Sequence, residues 1–243
     1  MVTVEGGKFK MDSTYEVEVS SFKIAKTETT FWQYNIFVKA IHNSISPPSW
    51  QFTGDNPAVY ISWYNSVEYC NWLSKRRDSE IVYAIDSVQD KNNLNSFDNI
   101  KLTVNTNWQA KGYRLPTEAE WEFAARGGNL SKGFEYSGDS ILTNVAWFNE
   151  NASSRTHSVA IKKANEIGLF DMSGNVWEWC NDWYSEYDLK MLKNPRGAEK
   201  GSSRVVRGGS WYYFDSDCRV SFRSYSNPNS DYNYYGFRCV RYD

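Results

Sequence analysis

The sequence predicts one α+β domain: a small antiparallel sheet, two or three helices, and long loops. Three observations carry this expectation. The first 26 residues alternate apolar and polar side chains in the strand period, and three later segments show helical spacing behind capping residues. Beyond Gly128, helical periodicity gives way to short aromatic-rich stretches separated by Gly, Asn and Ser, with no internal repeat and no linker, so a single domain spanning 1–243 is expected.

From Val2 to Lys26 the alternation breaks at Gly6-Gly7 and at a Ser13-Thr14 turn, which reads as a strand pair or hairpin. Thr29-Thr30 then caps a helix reaching Ile41, with Phe31, Tyr34, Phe37, Val38 and Ile41 on its apolar face. A second helix is predicted over Trp63 to Lys75, with Val67, Cys70, Trp72 and Leu73 facing a core. The Asn- and Asp-rich stretch from Ser79 to Lys111 reads as a surface excursion carrying short strands. Pro116-Thr117 followed by Glu118, Glu120 and Glu122 marks a helix start, and Arg126-Gly127-Gly128 its stop. At that position the three glutamates read as surface groups complementing the helix dipole rather than as paired catalytic carboxylates.

Composition excludes several function classes. The 243 residues carry 27 basic against 29 acidic side chains, a net charge of -2, which is not the basic excess of a nucleic-acid-coating protein. No run of about 18 apolar residues offers a transmembrane span. Met1-Val2-Thr3-Val4-Glu5 already reads as a strand, not as a signal peptide. Two histidines, His42 and His157, are too few for a three-His metal centre; the first reads as a helix C-terminal cap, the second as a structural hydrogen-bond partner. Arg114, Arg207, Arg219, Arg223 and Arg238 are expected to pair with acidic side chains of the scaffold. Four cysteines without a C-x-x-C pair, Cys70, Cys180, Cys218 and Cys239, leave two disulfides or four buried thiols, with three connectivities open.

Four strings then carry a resemblance. They are Gly112-Tyr113-Arg114-Leu115-Pro116-Thr117-Glu118-Ala119-Glu120-Trp121-Glu122, Gly168-Leu169-Phe170-Asp171-Met172-Ser173-Gly174-Asn175-Val176-Trp177-Glu178-Trp179, Arg207-Gly208-Gly209-Ser210-Trp211, and Gly236-Phe237-Arg238. In this order the sequence resembles the formylglycine-generating-enzyme (sulfatase-modifying factor) family over nearly its whole length. The resemblance implies a C-type-lectin-like fold. It also implies a Cys70–Cys239 disulfide, which would leave Cys180 with Cys218, and oxidised cysteines would imply an extracytoplasmic protein. Family calcium sites around the Gly-Asn-x-Trp-Glu motif point to Asp171, Gly174, Val176 and Glu178, an oxygen set suited to a hard cation.

The enzymes of the family hold copper(I) with two cysteines, three and eight positions after the Gly-Gly-Ser serine. Here those positions are Tyr213 and Cys218, so the two-thiolate site is incomplete; no copper and no enzyme activity are expected. The 24 residues from Tyr212 to Tyr235 contain no Lys, Glu, Trp, Met or Gln, types common elsewhere in the chain. Tyr, Phe, Asp, Ser and Asn abound instead, all reachable from an Asn codon by changing its adenines. This resembles the variable region of diversity-generating retroelement proteins, the spirochaete variable proteins above all, with the segment at about 207–240.

Tyr provides rigid amphipathic area, and Ser, Asn and Asp provide adaptable hydrogen bonds, the composition of antibody paratopes. The expected ligand-binding residues are Tyr212, Tyr213, Phe214, Asp215, Ser216, Asp217, Ser221, Ser224, Tyr225, Ser226, Ser230, Asp231, Tyr232, Asn233, Tyr234 and Tyr235. The aromatic and acidic ones are expected on one exposed face, above buried Trp211, Cys218, Phe222, Phe237 and Cys239. The function expected is that of a receptor or adhesin-like protein displayed on a bacterial cell surface, whose partner is a protein or glycan of another cell or host. The alternatives are a family oxidase or maturation factor with altered chemistry, and a structural lectin-like domain.

Overall fold

The computed structural model describes residues 1–11, 14–44, 47–50, 54–187 and 192–242. Ser13 of the expected first turn lies outside them. The N-terminal alternation resolves into four strands, β1 (Val2–Val4), β2 (Gly7–Met11), β3 (Tyr15–Val19) and β4 (Phe22–Ile24). β2 and β3 form the expected hairpin, whereas β1 and β4 pair with each other and then with β11 (Val240–Arg241) from the far end of the chain.

The helices begin where the capping residues place them. α1 (Phe31–Ala40), α2 (Trp63–Arg76) and α3 (Glu118–Ala125) start behind Thr30, Ser62 and Thr117, each a capping box that satisfies two otherwise orphaned backbone N–H groups. Ile41, expected in the core, is exposed instead because α1 ends one residue earlier. His42 follows with φ 55°, just past the helix end where a cap was expected. The excursion carries its short strands, β5 (Tyr83–Gln89) and β6 (Leu102–Thr106), paired antiparallel with a bulge. A one-turn helix, α4 (Leu142–Val145), interrupts the loop region.

A four-stranded sheet organises the rest, in the order β10 (Tyr235–Gly236), β7 (Trp177–Trp183), β8 (Arg204–Arg207), β9 (Arg223–Ser226). β7 is buried at every residue, and its alternation sends Trp177 and Trp179 to the cluster under α1 and α2, but Cys180 to the cluster under α3. β8 divides likewise, with Val206 on the first side and Val205 on the second.

Buried ion pairs staple these layers, and here one expectation is corrected. Glu118, Glu120 and Glu122 are not surface groups; all three are buried. Arg114 holds Glu120 through two 2.7 Å bonds, Arg207 reaches Glu118 and Glu122, and Arg223 closes on both oxygens of Glu118. A buried carboxylate is tolerated because each is met by a guanidinium fork. The arginines therefore behave as expected, with Arg238 on Glu178 as well; Arg219 pairs with Glu135 only at the surface.

Candidate ligand-binding face

The segment after β8 turns sharply at Gly208 and Gly209, with φ of 98° and 75°. A Cβ on Gly209 would stand 2.7 Å from Cys218 Sγ, so the backbone passes where no side chain fits. Fixed partners then hold the segment by its backbone. Trp211 N–H donates to Asn175 O at 2.9 Å, and Trp211 Nε1 reaches across to Asn233 O at 3.1 Å, tying both ends together. Trp177 N–H donates to Tyr234 O, Trp63 N–H to Pro228 O, and Tyr60 N–H to Tyr232 O.

Four tyrosines assemble into one cluster on this frame. Tyr213 packs edge-on against core Trp177 at 5.4 Å and against Tyr234 at 5.5 Å. Tyr212, Tyr234 and Tyr232 form an outer layer of nearly parallel rings, with centroids 5.8 and 5.3 Å apart. Tyr212, Phe214 and Tyr232 are 62, 65 and 52% exposed, whereas Tyr213 and Tyr234 are half-buried. Asp215 and Asp231 are exposed, and Ser216, Ser230 and Asn233 are half-buried beside these rings in sequence. Asp217 turns inward to accept from Phe214 N–H, capping the short turn Asp215–Cys218; its carboxyl is raised by desolvation.

The expected single face divides in two places. Tyr235 is only 6% exposed: as part of β10 it pairs with β7, its ring meets Trp179 at 5.0 Å, and its hydroxyl bonds Ser226. Burial pushes that phenol up to about 12. Tyr225 is exposed, but on β9 it lies opposite Val205 and packs in a tilted contact against Tyr184 at 4.4 Å, on the α3 side of the sheet. Ser224 sits opposite Val206, and Ser224 and Ser226 share the tyrosine side; Ser221 offers its backbone oxygen to Arg207. Beneath the face Trp211, Cys218, Phe237 and Cys239 are buried as expected, while Phe222 is half-buried against Trp177.

Sequence reasoning missed Tyr60, 41% exposed beside Tyr232, and Trp50, which meets Trp211 at 5.8 Å. Both lie far from the compositional window that marks the segment, and no local pattern around them signals the contact. His157 takes its expected structural place, stacked on Trp147 at 3.8 Å and bonded to Ala152 O at 2.9 Å.

All four cysteines are buried free thiols. Cys70 and Cys239 face each other with sulfurs 3.6 Å apart, while Cys180 and Cys218 sit in different hydrophobic clusters. At the position of the second copper-binding cysteine, Cys218 points its thiol at Phe214 O, and burial raises its pKa far above that of a free thiol. Tyr213 fills the other position with a ring.

Among the described residues no group of three or more His, Cys, Asp and Glu side chains is placed to hold a metal ion, so the expected calcium ligands are not assembled into a site of that kind. Glu178 is committed to Arg238 through both oxygens and also accepts from Trp121 Nε1, so its charge is already met by a guanidinium. Asp171 is buried with Oδ2 on Ala160 N–H and Oδ1 without a partner. Beside it lies a carboxylate the sequence reading overlooked, fully buried Glu28, which accepts from Asn175 Nδ2 and Val176 N–H. Burial, and then the charges of Asp171 and Glu178, raise Glu28; burial raises Asp171 to about 6. Three carboxylates thus lie around one guanidinium, and among them the oxygen without a hydrogen-bond partner is Asp171 Oδ1.

Fold and face together define a C-type-lectin-like domain of the formylglycine-generating-enzyme type. The chain belongs to the sulfatase-modifying factor enzyme 1-like family, which matches residues 1–242. It is 36% identical to the chaperone protein LppX of Paenibacillus barcinonensis over 263 aligned residues, covering 99% of this chain and 89% of that one. The formylglycine-generating enzyme of Streptomyces coelicolor is 31% identical over 204 residues; the match spans 76% of this chain and 52% of the enzyme. Among solved structures, variable protein 1 of Treponema denticola superposes with a TM-score of 0.83 at 28% identity, covering 100% of this chain and 95% of that one. The structure of CarF gives 0.76 at 29% identity, with 100% and 97% covered.

Proposed function

We propose that the protein is a binding module, not an enzyme, whose recognition face is the Tyr212, Phe214 and Tyr232 surface, with half-buried Tyr234 between the two tyrosine rings and half-buried Tyr213 behind them. The carrying observation is the exposed tyrosine cluster, confined to a window of Tyr, Ser, Asn, Asp and Phe and held by backbone bonds to fixed residues. Whole-chain similarity to a variable protein supports reading that window as retroelement-diversified and the protein as displayed outside a bacterial cell. The partner is then a protein or glycan surface. Calcium in this module would be held by Asp171 and Glu28, where it would offset buried negative charge and serve structure alone.

The test is a triple variant, Tyr212→Ser, Phe214→Ser and Tyr232→Ser, melted beside the parent and screened on glycan and displayed-protein arrays. Intact folding with binding lost by tenfold or more supports the face, since aromatic anchors commonly contribute ~2 kcal/mol each. Binding equal to the parent's places recognition elsewhere. The adjoining DNA gives an independent check: a near-copy of these codons differing only at adenines, beside a reverse transcriptase.

A second reading has its own observation. A relative named as a chaperone aligns along nearly all of both chains. A chaperone or maturation factor would keep its client through the triple serine change, which separates the two.

A further inference from the structure

On the α3 side of the four-stranded sheet, away from the tyrosine cluster, lies a cavity of about 470 Å³. Its apolar wall comes from Met11 and Val17 of the β2–β3 hairpin and Ala119 of α3, all buried. The opposite wall comes from Ser185 and Tyr187 just after β7 and from Leu192, Pro195, Gly197 and Ala198. Hydrogen bonds hold these walls in place without a ligand. Glu18 N–H donates to Leu192 O and Asn194 N–H to Glu18 O, both at 2.7 Å, and Trp183 bridges to Ala198. Gly197 presses on Asp182, where a Cβ would come within 2.7 Å of the aspartate's own Cβ.

The inner polar groups carry almost no free charge. Glu118 is spent on Arg207 and Arg223, and Arg223 Cζ stands over the Tyr187 ring, 3.9 Å from its centroid. Asp182 accepts from Glu118 N–H at 3.0 Å, and burial, with the neighbouring Glu118 charge, pushes its carboxyl well above the usual carboxylate range. Charged side chains not so paired, Glu186, Glu199 and Lys200, stand exposed at the rim. Among the described lining residues one group is unsatisfied: Tyr187 Oη is buried with no hydrogen-bond partner there. A preformed apolar cavity of this size with a single unspent polar group is what a small-molecule site requires, and a buried phenol without a partner is uncommon unless something else completes it.

We propose that this cavity binds a neutral small molecule with a compact aromatic or alicyclic body and one hydroxyl or carbonyl group, hydrogen-bonded to Tyr187 Oη. A charged ligand is disfavoured because no counter-ion in the inner wall is free to receive it. The site is independent of the recognition face and holds whether or not that face binds.

Three probes with one body and different heads test it on the whole chain: 4-tert-butylphenol, 4-tert-butylbenzoate and 4-tert-butylbenzylamine. Saturation-transfer NMR and thermal shift should detect the phenol, with the two charged probes at least tenfold weaker. Leu192→Trp fills the mouth from a half-exposed position, which spares the fold, and should abolish binding; Tyr187→Phe should weaken the phenol about tenfold. Melting first confirms that both variants are folded. No saturation transfer from the phenol, equal binding of all three heads, or undiminished binding in Leu192→Trp overturns the site. Unchanged affinity in Tyr187→Phe overturns its assigned hydrogen bond.

Discussion

Position 235 separates scaffold from recognition surface inside one tyrosine-rich string. Tyr235 and Tyr232 are three residues apart and chemically identical, yet one is 6% and the other 52% exposed. Burying a tyrosine removes roughly 150 Å² from water, and at about 25 cal/mol/Å² the transfer amounts to about 4 kcal/mol. Replacing Tyr235 by serine forfeits most of that, together with the Trp179 contact, and leaves a cavity. Allowing for partial collapse, the expected loss is about 3 kcal/mol. Tyr235→Phe keeps the ring and loses only the Ser226 bond, about 1 kcal/mol. Tyr232→Ser removes a half-exposed ring and one stack on Tyr234, for about 1 kcal/mol or less. Urea denaturation at constant m-value reads all three. If Tyr235→Ser costs less than 1 kcal/mol, or no more than Tyr232→Ser, then β10 does not bury this side chain and position 235 rejoins the recognition face.

Arg207→Ala should cost on the order of 4 kcal/mol, because a fully buried guanidinium that serves Glu118, Glu122, Val220 O and Ser221 O leaves charge behind when removed. Arg219→Ala, at an exposed pair, should stay within ~0.5 kcal/mol in the same urea titration. For Glu120, burial alone would raise the carboxyl, but the Arg114 charge and hydrogen bonds outweigh it and lower it. A depressed folded-state pKa contributes stability that is present above the unfolded value of about 4.3 and is lost as pH falls through the folded one. Denaturation midpoints should therefore drop below about pH 4.5, and less steeply in Glu120→Gln. Calcium at about a hundred times its dissociation constant should add about 2.7 kcal/mol to the parent and nothing to Asp171→Ala; equal melting in calcium and in chelator would remove the ion from the account.

What the sequence made legible is what depends on neighbours in the chain. Thr30, Ser62 and Thr117 cap their helices because a capping box closes within four residues. The burial of the glutamates behind Thr117 is not legible locally because their partners are distant: 89 residues separate Glu118 from Arg207 and 105 separate it from Arg223. Charge at a helix start looks the same whether it faces water or a guanidinium. Glu28 went unnoticed for the same reason, its partners being nearly 150 residues away. The burial of Tyr235 is invisible in the sequence because a two-residue strand is too short to show a period, and the face of exposed Tyr225 is invisible because composition does not distinguish the two sides of a strand.

The same division between local and distant partners explains how such a segment could vary without unfolding. Its anchors to the scaffold are mostly backbone atoms: Tyr232 O, Pro228 O, Asn233 O and Tyr234 O accept from Tyr60, Trp63, Trp211 and Trp177. A carbonyl oxygen is the same in Tyr, Ser, Asn or Asp, so these bonds survive a change of side chain. The side chains the scaffold does rely on here differ in that they face inward: Trp211, Cys218, Val220 and Phe237 are buried, and Arg223 is tied to both oxygens of Glu118. Variation is therefore compatible with stability at positions whose backbone is held and whose side chain reaches water, Tyr212, Phe214, Asp231 and Tyr232, and incompatible with it at Tyr235.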